Sequence, residues 1–244
     1  MNTAAETTIE SVVIRFAGDS GDGMQLTGTQ FTNASALLGN DLATFPDFPA
    51  EIRAPIGTLA GVSGYQIHFG STRIHTPGDM CDVLVVMNVA ALKANLRNLK
   101  KGGVIIANID GFDAKNMRLA NVPEGQNPLE NGSLSEYDVK TIDITKITRA
   151  ALADSGLGTK EIDRCKNMFV LGLLYWMYHR PMDNTIEFIK SKFKKNEAVM
   201  NANLKVLQAG WSYGETTEMF ANRYKVAPAK MEPGVYRGIM GNQA

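Results

Sequence analysis

DVLVVMNVAALKANLRNLKKGGVIIA, residues 82–107, is the stretch whose periods decide the fold. Asp82 to Met87 is a continuous apolar run, as a strand covered on both faces requires. Val89, Leu92, Leu96 and Leu99 then recur at three-to-four spacing and predict a helix. Gly102 and Gly103 are read as its stop, and Val104 to Ala107 as the next buried strand. Strand, helix and strand in this order form a right-handed crossover that builds a parallel sheet.

Upstream, Ser11 to Ala17 (SVVIRFA) is a β-branched run and reads as the first buried strand. A glycine-rich turn follows, Gly18-Asp19-Ser20-Gly21-Asp22-Gly23. Met24, Thr27, Phe31, Ala34 and Leu38 then mark a helix, with Asp22 as a candidate N-cap and Gly39 as the stop. Leu42 to Phe45 reads as a short strand. The stretch from Phe45 to Gly61 is broken by Pro46, Pro49 and Pro55 and reads as a long loop, a type often tied to function. Val62 to Phe69 alternates, which predicts a strand with one wet face and allows antiparallel pairing. Its phase slips at Gly64, where a bulge would fit.

Downstream, Gly111 to Ser135 is polar and reads as loop, Tyr137 to Ile144 as a strand and Ile147 to Leu152 as a short helix. One helix is expected from Thr159 to His179, ended by Arg180-Pro181. Others are expected over Asn184 to Lys195 and over Glu197 to Ala209, the last stopped by Gly210. The fold class is therefore α/β: a three-layer α/β/α sandwich on a mostly parallel sheet, a mixed one being allowed, with extra helices at the C-terminal end. Residues 1–225 form this unit. Residues 226–244 read as a linker toward a further domain, because Val235, Tyr236, Ile239 and Met240 make the segment too apolar to lie free.

Bulk properties narrow the function. Lys plus Arg number 25 and Asp plus Glu 25, so the formal net charge is zero. That lends nothing to nucleic-acid or anionic-membrane binding, which favour basic surfaces. The most apolar run, Met168 to Tyr178, is far shorter than the roughly 20 residues that span a bilayer. The N-terminus lacks the basic and apolar regions of a signal peptide. The two cysteines, Cys81 and Cys165, form no CxxC and read as buried thiols of a reducing compartment, the cytoplasm. None of the three histidines stands at a metal-ligand spacing from another.

The turn at 18–23 carries the main candidate site. A glycine turn between strand and helix can aim backbone N–H groups at an anion. The glycines at 18, 21 and 23 do not fit G-x-G-x-x-G, and Met24-Gln25 stand where a P-loop needs Lys-Ser/Thr. Asp19 and Asp22 would repel phosphate. On spacing alone the turn reads equally as structural or as ligand-contacting. Gly21-Asp22-Gly23 imitates a thiamine diphosphate motif, but Asn33 and Asn40 fall too close and Asn88 too far to supply its metal-binding asparagine. Arg53, in the proline loop, has a guanidinium fork suited to a carboxylate or phosphate, or to an internal pair with Glu51. The aromatic stripe from Cys165 to Tyr178 reads as core rather than as a partner surface.

FAGDSGDGMQLTG (16–28), FPDFPAEIRAPIGTLAGVSGYQIHFG (45–70), NMFVLGLLYWMYHRP (167–181) and WSYGETTE (211–218) together resemble one family. It is the alpha subunit of 2-oxoacid:ferredoxin (acceptor) oxidoreductases, 2-oxoglutarate branch, in its N-terminal gamma-type domain. The resemblance implies a complex that converts a 2-oxoacid to an acyl-CoA with thiamine diphosphate, Mg and an iron–sulfur cluster, using coenzyme A as substrate and ferredoxin as acceptor. It implies that this chain alone holds no cofactor and no catalytic residue. Its partners would be the thiamine-binding alpha-subunit domain and the beta subunit, with a role in shaping the coenzyme A entry. Gly18, Asp19, Ser20, Gly21, Asp22, Gly23 and Arg53 would then line the seam. The alternatives are a free-standing nucleotide-binding module and a ligand-free assembly scaffold.

Overall fold

The computed structural model describes residues 5–51, 54–232 and 234–235. Arg53 and the end of the expected linker, 236–244, lie outside the described residues. A six-stranded sheet forms the middle layer, in the order β3-β4-β2-β5-β6-β7. Its strands are β2 (Ser11–Asp19), β3 (Asp41–Asp47), β4 (Val62–Gly70), β5 (Cys81–Val86), β6 (Leu99–Asn108) and β7 (Asp138–Ile142). β2, β5, β6 and β7 pair in parallel, while β4 runs antiparallel to both β2 and β3. Pro46 sits in β3, an edge strand, where its missing N–H costs no ladder bond. Short β1 (Ala5–Thr8) and β8 (Asn222–Lys225) pair in parallel as a separate two-stranded sheet.

On one face pack α1 (Met24–Leu37), α4 (Ile144–Ala151), α6 (Lys166–Met177) and α8 (Glu197–Thr216), with the short α5 (Thr159–Asp163) and with α7 (Asp183–Lys192) outside them. The other face carries α2 (Val89–Asn95) and α3 (Ala114–Leu119). The three-layer sandwich expected from the periods is the architecture found. Two apolar clusters fill it, one around Phe16, Phe31, Phe69 and α6, the other around Leu84, Val86 and Leu92. α6 is buried on every side, with Met168 to Tyr178 at most 2% exposed. Each large apolar side chain buried so completely contributes about 1.5–3 kcal/mol. The aromatic stripe is core.

Several local expectations are corrected. The β2–β4 register runs unbroken from Ser11↔Gly70 to Asp19↔Val62, so Gly64 carries no bulge. The irregularity lies instead between β5 and β6, where Cys81 faces Leu99 but Val83 faces Val104. Gly102, at φ 74, and Gly103 absorb it within the strand, so they do not stop the preceding helix. The expected wet face of β4 is partly covered: Gln66 is buried, donating to the Pro77 and Gly78 carbonyls of the next loop. The polar stretch after Gly111 contains α3, capped by Asp113.

The helix expected over 159–179 is two helices, because Cys165 N bonds Ile162 O and Met168 N bonds Cys165 O, three-residue steps that offset the axis. It ends at Met177, close to the expected His179, but the stop is made by His179, left-handed at φ 52, with Arg180 N on Tyr175 O, before proline is reached. Gly210 does not stop the last helix, which continues to Thr216. Gly210 and Gly172 are instead where α8 and α6 touch, since a Cβ on either would collide with the other helix's backbone. Beyond β8 the chain stays attached, with Asn40 Nδ2 on Ala227 O at 2.7 Å and Ala229 N on Gly39 O at 2.8 Å.

Candidate functional site

The crossover after β2 runs through α1 on one face, and that after β5 runs through α2 on the other. β2 and β5 are neighbours, so their carboxyl ends flank a topological switch point, where open α/β sheets place their ligand crevices. The Gly18–Gly23 turn leaves the sheet there.

Asp19, the last residue of β2, is 6% exposed. Both its oxygens accept Gly57 N, at 3.0 and 3.1 Å, and Oδ2 also accepts Asn88 Nδ2 at 2.9 Å. Burial pushes its carboxyl up to about 6, with Asp22 adding to the rise while the Gly57 bond, Lys166 and Asn88 oppose it. Asn88 caps α2 through Ala91 N at 2.8 Å, so one amide side chain joins β5, α2 and Asp19. Gly57 adopts φ 84, a left-handed conformation that glycine takes without strain, and it belongs to the proline loop. Asp19 therefore ties that loop to the turn.

Asp22 does not cap α1. The N-cap is Gly23, at φ 73, with no side-chain bond. Asp22 Oδ2 instead accepts Asp19 N at 2.8 Å, and Oδ1 lies 3.6 Å from Lys166 Nζ. A Cβ on Gly18 would stand 2.8 Å from that same carboxylate, and one on Gly23 would stand 2.6 Å from Asn167 Nδ2. Asn167 Oδ1 is buried without a hydrogen-bond partner among the described residues. Ser20 and Gly21 are exposed, and a Cβ on Gly21 would meet nothing within 4 Å. Asp22 thus fills with its own negative charge the place where a turn of this kind would hold an anion, and it takes up the Asp19 N–H.

The structure brings Gly18, Asp19, Ser20, Gly21, Asp22 and Gly23 together with residues that sequence reasoning missed: Gly57, Asn88, Lys166 and Asn167. Asn88 carried a signal, since it directly follows the DVLVVM run at the carboxyl end of the second parallel strand. Beside the turn, the end of β3 and the proline loop expose large apolar side chains: Phe45 at 51%, Phe48 at 70%, Ile56 at 74% and Leu59 at 40%.

Elsewhere the chemistry is quiet. His68 Nδ1 bonds Thr76 O at 2.9 Å, and His179 lies 3.5 Å from Glu6. Cys81 and Cys165 are buried, free thiols, pushed by burial to about 12 and about 11, so both stay protonated. Among the described residues no group of three or more His, Cys, Asp or Glu converges as a metal-holding set. The chemistry of Asp22, spent on Asp19 N and Lys166, does not fit a thiamine diphosphate metal site.

The sequence profile of pyruvate ferredoxin/flavodoxin oxidoreductase (POR) matches residues 13–213. The chain is 53% identical over 236 residues to the 2-oxoglutarate oxidoreductase subunit KorA of Mycobacterium tuberculosis, covering 97% of this chain and 36% of that protein. It thus spans about a third of that relative's length. Its fold resembles the 2-oxoglutarate:ferredoxin oxidoreductase of Magnetococcus marinus, solved with 2-oxoglutarate, coenzyme A and succinyl-CoA, with TM-score 0.67, 23% identity and coverage of 91% of this chain and 34% of that one. It also resembles the gamma subunit of a keto/oxoacid ferredoxin oxidoreductase from Geobacter sulfurreducens, with TM-score 0.55, 21% identity and coverage of 84% and 99%. A profile spanning most of the chain and a relative aligned along nearly all of it agree: the chain belongs to the pyruvate ferredoxin/flavodoxin oxidoreductase family.

Proposed function

We propose that the chain is a non-catalytic, gamma-type domain of a 2-oxoglutarate:ferredoxin oxidoreductase that forms an acyl-CoA. The observation that carries this is the 53% identity, along almost the whole chain, to a 2-oxoglutarate oxidoreductase subunit. In this reading the turn at 18–23 and the loop that Asp19 ties to it face the thiamine-binding domain and the beta subunit. They border the coenzyme A entry, with Arg53 on the same loop. Exposure of Phe48 and Ile56 supports that role, because apolar side chains left to water on a well-packed unit suit a covered interface. Thiamine diphosphate with Mg, the iron–sulfur cluster and the contact with ferredoxin belong to the other parts of the complex, which supply the redox chemistry. This chain's described residues offer those groups no fitting donor set. No described helix is long and apolar enough to cross a membrane. We place the complex in the cytoplasm.

The test is reconstitution. The chain alone is expected to give no coenzyme A-dependent oxidation of 2-oxoglutarate. Joined to the remaining alpha-subunit domain and the beta subunit, it should restore electron transfer to ferredoxin. Turnover by the lone chain, or equal activity of the other parts without it, would refute the proposal. A nucleotide-binding reading rests on the switch-point position of the turn. Titration of the lone chain with coenzyme A, NAD and ATP addresses it, and tight dinucleotide binding would favour it over the interface role.

A further inference from the structure

We infer that a cavity at the amino ends of the parallel strands is a binding site for a small, uncharged aromatic molecule carrying a hydroxyl or carbonyl group. It lies on the opposite rim of the sheet from the 18–23 turn and does not depend on the interface reading.

The cavity has a volume of about 260 Å³. Its apolar lining includes Val12, Val83, Val104, Met177 and Phe220, and Asn222 and Tyr224 of β8 form one wall. This is the usual make-up of a small-molecule site: an apolar body with a few convergent polar groups. The space suits a single ring system with a short substituent.

Two observations specify the ligand. The first is Tyr178, which lines the cavity with a ring 2% exposed and whose hydroxyl, bonded to no other described residue, is left to whatever fills the space, water or ligand. Buried phenols ordinarily find a partner. Burial pushes this group's ionisation well above the ordinary phenol range, so it stays protonated and offers a donor. The Tyr224 ring stacks on it at 5.6 Å and 28°, leaving an aromatic wall. The second is the state of the charges. Asp82 accepts Val13 N at 2.8 Å and pairs with Lys100 at 2.7 Å, while Asp138 pairs with Lys140 at 2.9 Å. Each cavity carboxylate already has its counter-ion. A charged ligand would have to break or crowd these pairs and would lose hydration on entry, whereas an uncharged ring with one acceptor takes the Tyr178 donor without that cost.

The probe is p-cresol, followed by ligand-observed NMR on the 244-residue chain, with benzoate and benzylamine as charged comparators. Saturable binding of p-cresol is expected, with the comparators and Tyr178→Phe each weaker by about tenfold, the worth of one lost hydrogen bond or one desolvated charge. Val104→Phe should fill the space and abolish binding. If that variant fails to fold, Asn222→Trp at the exposed wall blocks entry instead. The inference is overturned if p-cresol shows no saturation at millimolar concentration. It is equally overturned if a blocking variant with wild-type circular dichroism binds as before, or if either charged comparator binds as well as p-cresol.

Discussion

Asp19 is a carboxylate held in a place that disfavours its charge, and through Gly57 N it links the turn to the proline loop. Its carboxyl rises from 3.8 to about 6 in the fold, chiefly through burial. Between those two values the folded chain keeps a proton that the unfolded chain has lost. Stability contributed by this group is therefore fully present below about 4 and falls as pH rises to about 6, after which it is flat. Asp19→Asn cannot titrate. From about pH 7.5 to pH 4, the urea midpoint of wild type should rise relative to that of the variant, whichever is higher at the start; parallel curves would sink the assignment. The turn itself was legible in the sequence, because a glycine cluster between a strand period and a helix period has few other meanings. Its partners were not. Gly57 and Asn88 lie 38 and 69 residues away from Asp19, and nothing local announces them. The expected cap by Asp22 failed for a related reason: the carboxylate had a nearer donor in Asp19 N, and Gly23 turned the backbone left-handed instead.

At the scale of elements, α6 and α8 cross where glycines remove the side chains between them. Gly172 faces Leu207 O, Gly210 faces Phe169 O, and Gly214 lies against the Trp176 ring. Gly210→Ala gains helix propensity of about 1 kcal/mol, but it must push the two helices apart. We expect a net loss of about 1–3 kcal/mol in chemical unfolding, against a change within about 0.5 kcal/mol for exposed Gln208→Ala. A neutral Gly210→Ala would mean that the crossing is looser than described. The sequence misled here because a glycine after an amphipathic run reads as a stop unless its partner across the interface is known. Periods of two and of three to four placed the buried strands, the first long helix and the start of the last one well. They could not show the break at Cys165 or the short α3, where local hydrogen bonds rather than apolar spacing decide.

For the whole molecule, the parallel sheet and its layers followed from one βαβ unit and the apolar runs beside it. The proline loop was expected from sequence to line a seam with a neighbour, but which of its side chains stay exposed, Phe48 and Ile56 among them, was not legible. Changing both to serine should leave folding stability within about 0.5 kcal/mol per site, since neither is buried. Co-purification with the partner subunits should be lost in size-exclusion chromatography. Retained assembly would remove the loop from the interface. The pairing of β1 with β8 was equally illegible, because AETT and NRYK show no apolar alternation and stand near opposite ends of the chain. That pairing has a kinetic meaning. Closing a loop around nearly the entire chain carries an entropic cost that the two strands of 4 residues each do not repay by themselves. The pair is expected to form only once the sandwich offers β8 its anchors, the Tyr178 ring under Tyr224 and the core around Phe220 and Val226. Traffic into the space walled by Asn222 and Tyr224 would then follow local opening of the thin β1 edge rather than motion of the core.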